Sequence, residues 1–214
     1  MPFFTNGMDI LEKIFGSSAK VKIIKLFLFN PEVAYDIFQI SDRTKVSQSQ
    51  VRKEINALEK IEFLKQRSFI KEIKRQKNKM VVTSKKRANG WTLDTKFPYL
   101  TALEAFLSNI NPFKHKDIIE KISRAGKIQL LIISGIFIKE PDSRVDLLVV
   151  GDNIKQGMLE GIIKTIESEI GKEVRYAVFE TSEFNYRYSM FDKLIRDILD
   201  YPHEKIINKI GLTH

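Results

Sequence analysis

Residues 46–64 can fold in few ways other than as a helix with two unlike sides. Ser47 suits a helix N-cap, because its hydroxyl accepts a hydrogen bond from an otherwise unpaired early N–H. Val51, Ile55 and Leu58 recur at spacings of four and three, which predicts one buried stripe. Gln48, Ser49, Arg52, Lys53 and Asn56 lie off that stripe. They are side chains that hydrogen-bond base edges or phosphates.

Charge is placed unevenly around this helix. Residues 1–100 carry 20 Lys/Arg against 10 Asp/Glu, and residues 101–214 carry 16 against 17, within a net charge of +9. The asymmetry predicts an anion-binding N-terminal domain joined to a neutral one. The plainer alternative is a solvated basic face. At 43% hydrophobic residues the chain can bury real cores. No run of 18 apolar residues exists, so no membrane span is expected. Residues 1–7 lack the charged start and cleavage site of a signal peptide. The absence of cysteine excludes disulfides, thiolate zinc sites and cysteine catalysis, and it fits a reducing, cytoplasmic interior. His115, His203 and His214 are well separated, so no histidine metal cluster is expected.

Along the first half, a short helix is predicted over residues 9–15, stopped at Gly16, and a second from Ser17 or Ser18 to the break at Asn30-Pro31. A third covers residues 35–44, with Thr44-Lys45-Val46 as the turn into the helix described above. Residues 63–73 read as a strand, followed by a polar turn at residues 75–79. Residues 80–83 and 89–93 look like returning strand pieces. Residues 63–87 hold ten Lys/Arg against the single acid Glu72. Such a hairpin suits a phosphate backbone or a minor groove. The alternative is a solvated hairpin whose lysines protect its edges.

Residues 97–106 begin a connecting helix, broken at Asn109-Ile110-Asn111-Pro112. Residues 115–125 form another helix. Strands are then predicted at 128–133, 145–150 and 174–179, and helices at 155–170, 182–201 and 203–210. This alternation indicates a small α/β domain. Phe184, Tyr186, Tyr188, Phe191 and Tyr201 could stack bases, but their near-helical spacing favours core packing or a dimer surface.

Residues 8–95 resemble winged-helix transcriptional regulators: a helix-turn-helix over residues 35–60, then a basic wing. The resemblance implies double-stranded DNA as partner. It makes Ser47, Gln48, Ser49, Gln50, Arg52, Lys53 and Asn56 the major-groove candidates, and Lys74, Arg75, Lys77 and Lys79 the wing's phosphate contacts. Residues 133–151 resemble the core of the minimal nucleotidyltransferase family. Active members follow the first strand with a Gly-Ser turn and carry two aspartates, two apart, on the second strand to share divalent metal. Here Ser143-Arg144-Val145-Asp146-Leu147-Leu148-Val149 keeps the frame, but the first aspartate is Arg144. The turn reads Ser134-Gly135, the loop is about two residues short, and the third strand offers Arg175 or Tyr176 in place of an acid. Asp142 would lie roughly 13 Å from Asp146 along a strand, too far to share a metal.

The expectation is therefore an α+β chain: a winged helix-turn-helix domain (1–95), a linker helix region (96–111) and a nucleotidyltransferase-like α/β domain (112–214). It is a sequence-specific DNA-binding regulator and a homodimer, with no enzyme activity, no cofactor, no metal and no membrane partner. The second domain supplies dimerisation, effector sensing or both. Ser134, Gly135, Arg144 and Asp146 are the candidate contacts for a nucleotide or small-molecule effector. Asp146 alternatively serves as a structural carboxylate, paired with Arg144 or capping a turn. Two other readings stand beside this one. The first is an active metal-dependent nucleotidyltransferase with a winged-helix docking domain. The second is a winged helix used for protein or RNA contacts.

Overall fold

The computed structural model describes residues 7–77, 80–110, 113–140 and 142–213, without the side chains of residues 7–9, 73–77 and 80–83. It is a mixed α+β chain that divides into two compact units. The first is Met1–Ile110 with Ser168–Lys172, and the second is Asn111–Glu167 with Glu173–His214. The region predicted as a linker thus contributes its helix to the first unit.

The first unit opens with α1 (Gly7–Phe15), α2 (Ser18–Leu28), α3 (Ile37–Thr44) and α4 (Gln48–Lys60). Ser17 caps α2, accepting from the Lys20 amide at 3.1 Å. Asp36 caps α3 through a reciprocal pair with Gln39, which satisfies two backbone donors at once. Ile23, Phe27, Ile40, Val51, Ile55 and Leu58 meet in one core. Each such side chain contributes about 1.5–3 kcal/mol on burial. Lys25 also lies inside, 1% exposed, its Nζ donating to the Glu169 carbonyl at 3.1 Å. Burial lowers its pKa from 10.5 to about 8, against the opposing pull of the Glu169 charge.

Strands β1 (Leu64–Lys77) and β2 (Met80–Leu93) follow as a two-stranded antiparallel ribbon. Their register runs unbroken from Leu64↔Leu93 to Lys77↔Met80. The strand pieces predicted at residues 80–83 and 89–93 are one continuous strand, although Ser84-Lys85-Lys86-Arg87 has no apolar alternation. A paired partner strand overrides that local preference. Tyr35, predicted as helical, instead makes a β-bridge to Trp91. Gly90 is needed there, since a Cβ would lie 2.3 Å from the Tyr35 carbonyl oxygen. Helix α5 (Leu100–Asn109) completes the unit.

In the second unit α6 (His115–Ser123) leads into β3 (Lys127–Ile133), a single 3-10 turn (Gly135–Phe137), β4 (Leu147–Asp152), α7 (Gln156–Ile170) and β5 (Tyr176–Phe179). Helices α8 (Thr181–Ser189) and α9 (Lys193–Asp200) precede β6 (Glu204–Asn208). The sheet order is β5-β4-β3-β6. The β4–β5 pair is parallel and the other two are antiparallel. Leu130, Ile132, Leu148, Val150, Phe184 and Ile195 fill its core.

Two sequence expectations are corrected here. The helix predicted for residues 203–210 is β6, which pairs with β3 at Leu131↔Ile207. Lys205-Ile206-Ile207 holds β-branched residues, and pairing along β3 supplies hydrogen bonds that an isolated two-turn helix would lack. The helix predicted for residues 182–201 is two helices, parted where Phe191 takes φ +54°. Of the aromatics there, Phe184 is core and stacks on Tyr188 at 6.0 Å, while Tyr186 and Phe191 are exposed.

Candidate nucleic-acid interface

Helix α3 ends at Lys45, which adopts φ +56°, and the Ser41 hydroxyl donates to the Val46 carbonyl at 2.6 Å. The chain turns sharply and Ser47 caps α4, accepting from the Gln50 amide. Val51, Ile55 and Leu58 point into the core, as their spacing predicts. Ser49, Arg52, Lys53 and Asn56 are exposed, and so is Lys60. Intervals of three, four, seven and eleven place all five on one side of the helix, opposite the buried stripe. Gln48 and Gln50 are exposed and flank that row.

The acids of α4 are both engaged within the protein. Glu54 is buried, accepting from the Ser17 hydroxyl at 2.9 Å and facing Lys20 at 3.5 Å. Glu59 accepts from Gln66 Nε2 at 2.8 Å and from Trp91 Nε1 at 3.2 Å, which ties α4 to the base of the ribbon. The outward row therefore carries three cations and no carboxylate. Among the described residues no hydrogen bond or ion pair holds Arg52, Lys53 or Asn56, so their donors face water.

The ribbon adds a second cationic surface. Arg67, Lys85, Lys86 and Arg87 are exposed. Lys65 is paired with Asp94 at 3.2 Å. Lys71 bonds Asp36 at 2.6 Å, and its Nζ lies 5.4 Å from the centroid of the exposed Phe38 ring. Asp36 thus fixes both the start of α3 and the ribbon. Of the expected wing contacts, Lys74, Arg75 and Lys77 lie on β1 but their side chains are not described, and Lys79 lies outside the described residues. Sequence reasoning did not name Lys60, Arg67, Lys85, Lys86 or Arg87 individually. The 49-52-53-56 spacing, continued one turn, would have found Lys60.

In the second unit Ser134, Gly135 and Asp146 come together, but the polar side-chain atoms of Ser134 and Asp146 are engaged. Asp146 is 0% exposed. Its Oδ2 accepts from the Arg175 amide at 2.8 Å and from Arg175 Nε at 3.1 Å. Its Oδ1 accepts from Arg175 Nη2 at 3.1 Å and from the Ile136 amide at 3.0 Å. The carboxylate hydrogen bonds hold the Arg175 guanidinium pKa above its usual value. Gly135 sits at φ +55°, where a Cβ would meet Asp146 Oδ1 at 1.9 Å. The buried Ser134 hydroxyl donates to the Val145 carbonyl. Arg144 does not pair with Asp146: its Nε forms an ion pair with Asp197 Oδ2 at 2.7 Å. The expected carboxylate partner is therefore corrected to Arg175, reached across the parallel β4–β5 edge, whereas Arg144 is directed to α9.

This donor set does not suit a divalent cation. A metal at Asp146 would have to displace a guanidinium and two amide donors, and no acid replaces the missing carboxylates. Among the described residues no group of three or more His, Asp or Glu is arranged to hold a metal. No helix there is long and apolar enough to cross a membrane.

Known protein families, curated proteins and solved structures contain no match to this chain. The functional reading therefore rests on the geometry of the two units.

Proposed function

We propose that the chain is a sequence-specific transcriptional regulator that binds duplex DNA as a homodimer. In this reading the first unit is a winged helix-turn-helix, with α3 and α4 as its helix pair and the ribbon as its wing. The second is a nucleotidyltransferase-like domain that has lost transfer chemistry. The single observation that carries the proposal is the outward row of α4. Ser49, Arg52, Lys53, Asn56 and Lys60 face solvent together, while Glu54 is buried and the half-buried Glu59 is engaged by Gln66 and Trp91. A helix of this width enters a major groove, where arginine pairs with guanine and asparagine with adenine. Ser47, Gln48 and Gln50 stand at its leading end, the part of a recognition helix that meets base edges. The exposed cations of the ribbon supply phosphate contacts.

Selection of bound duplexes from a random pool tests this reading. The expected product is a defined motif repeated with two-fold symmetry, as a dimer requires. Recovery of unrelated sequences, or preferential binding to structured RNA across a salt series, overturns it. The Asp146–Arg175 pair supports the inactive reading of the second unit. Incubation with labelled nucleotides and Mg²⁺ should give no transfer. Transfer that disappears in Asp146→Asn would establish the opposite.

A further inference from the structure

The first unit carries an aromatic cleft that DNA binding does not use. It has a volume of about 520 Å³ and is lined from α1, α2, the end of α4 and α5. Ile24, Leu58 and Phe63 are buried and form its floor. Its rim is open to water, with Ile61 58%, Tyr99 68% and Phe106 42% exposed. Sites for small organic molecules occupy about 300–1,000 Å³ and combine apolar walls with a few placed polar groups.

The lining suits a flat, apolar body. Phe15 meets Phe106 at 6.5 Å, tilted by 51°. Phe97 packs edge-on against Phe63 at 5.3 Å and against Tyr99 at 6.0 Å. Ring edges are electropositive and ring faces electronegative, so this set offers edge and face partners to a further ring. The same contacts hold the rings in place beforehand, which lowers the ordering cost of binding.

Lys20 supplies the polar group. Among the described residues that line the cleft, it alone is charged. Its side chain is 31% exposed, and its Nζ stands 3.5 Å from Glu54 Oε2. That is longer than the ~2.8 Å of a close charge-assisted bond, and an ammonium has further donors to offer. Glu54 is held independently by the Ser17 hydroxyl at 2.9 Å. Lys20 can therefore turn a donor to an anion without leaving Glu54 unbonded. The surrounding charge favours an anion, since residues 1–100 hold 20 Lys/Arg against 10 Asp/Glu. An apolar helix face laid over the cleft would instead bury the Lys20 charge with only its distant partner, a costly arrangement.

We infer that the cleft binds a small aromatic carboxylate, its rings among Phe15, Phe97 and Phe106 and its carboxylate on Lys20 Nζ. This places ligand binding in the first unit rather than at Asp146. It goes beyond the proposed function and stands whether or not the chain binds duplex DNA.

Isothermal titration calorimetry of the full chain with 2-naphthoate, and with its neutral counterpart 2-naphthamide, tests the inference. 2-Naphthoate should bind about tenfold tighter than the amide, as one charge-assisted contact predicts. Lys20→Met keeps the apolar stem and should erase that preference while leaving the amide's affinity unchanged. Ala102→Trp, at an exposed position of α5 on the cleft, should weaken both probes by about tenfold or more. Ala102 lies outside the core, so this variant should fold and decide the matter even if Lys20→Met does not. Failure of the unaltered chain to bind either probe at millimolar concentration overturns the inference. So does equal affinity for acid and amide, a preference that survives Lys20→Met, or binding untouched by Ala102→Trp. Loss of self-association in Ala102→Trp, where the unaltered chain binds neither probe, also overturns it and assigns the cleft to a second copy of the chain.

Discussion

Two regions of this molecule use the same kinds of side chain to opposite ends. On α4, Arg52, Lys53 and Asn56 keep their donors in water, while the helix's acids, Glu54 and Glu59, are hydrogen-bonded within the protein. At Asp146, both carboxylate oxygens are already matched inside the protein. Water-facing donors can exchange their solvent for a ligand at modest cost. A buried carboxylate with four donors can bind nothing new without first losing what holds it. Polar residues at a motif position thus say little about function until their partners are known. Substitutions in the two regions should separate accordingly: stability without binding in one, binding without stability in the other.

The largest effect is expected at Asp146. Asp146→Ala leaves the part-buried amides of Ile136 and Arg175 without their acceptor, each at about 1–3 kcal/mol. Arg175 is 49% exposed and can rehydrate, so its lost pairing adds less. A loss of about 3 kcal/mol should appear in urea unfolding of the second unit, with duplex affinity kept. Gly135→Ala should approach the same loss, because it adds a left-handed φ to a clash with Asp146. A change below about 1 kcal/mol in both would break the contrast.

Lys25 gives a test of similar size within the first unit. Its folded pKa, about 8, lies below the ordinary 10.5 because burial penalises the charge. Between those values the unfolded chain holds a proton that the folded chain has released, so stability rises with pH across that window. The cost of burying the charged form amounts to about 3 kcal/mol at ~1.4 kcal/mol per pK unit. Subtracting the pH profile of Lys25→Met isolates this rise from other titrations. A flat difference between pH 8 and 10.5 would show that Lys25 stays protonated when folded.

Local signals made α4 legible in the sequence. Ser47 caps it, and Val51, Ile55 and Leu58 mark its buried side within four turns of chain. What stayed hidden depends on partners far along the chain. Arg175 lies 29 residues from Asp146, so only the β4–β5 pairing brings them together, and the nearer Arg144 was the natural but wrong choice. Glu59 reads as one more surface acid until Trp91, 32 residues on, donates to it. The second ribbon strand and β6 were misjudged for a related reason. Their sequences are weakly patterned, and the hydrogen bonds that make them strands belong to neighbouring segments.

Arg52→Ala sharpens the comparison from the binding side. If its guanidinium reads a guanine bidentately, truncation costs about 1–3 kcal/mol on the selected duplex and relaxes preference at one base pair. Arg52 is exposed and off the core stripe, so unfolding should move by no more than about 0.5 kcal/mol. Equal losses on selected and random duplexes would reassign Arg52 to the backbone.

The smallest effect is expected from Arg67→Ala, and it separates two kinds of cation on one surface. Arg67 is exposed opposite Gly90, with no facing side chain to pack against or repel, so its removal leaves the ribbon's pairing intact. A phosphate contact carries no base information, so affinity should fall to the same degree on every duplex. The salt slope should drop by about one, the contribution of a single neutralised phosphate, so the deficit should shrink as salt rises. Lys65, already paired with Asp94, provides the internal control: Lys65→Ala should leave the slope unchanged. If the two substitutions behave alike, the ribbon's cations act as a diffuse field rather than as individual contacts. The distinction between free and engaged charges would then hold for α4 but not for the ribbon.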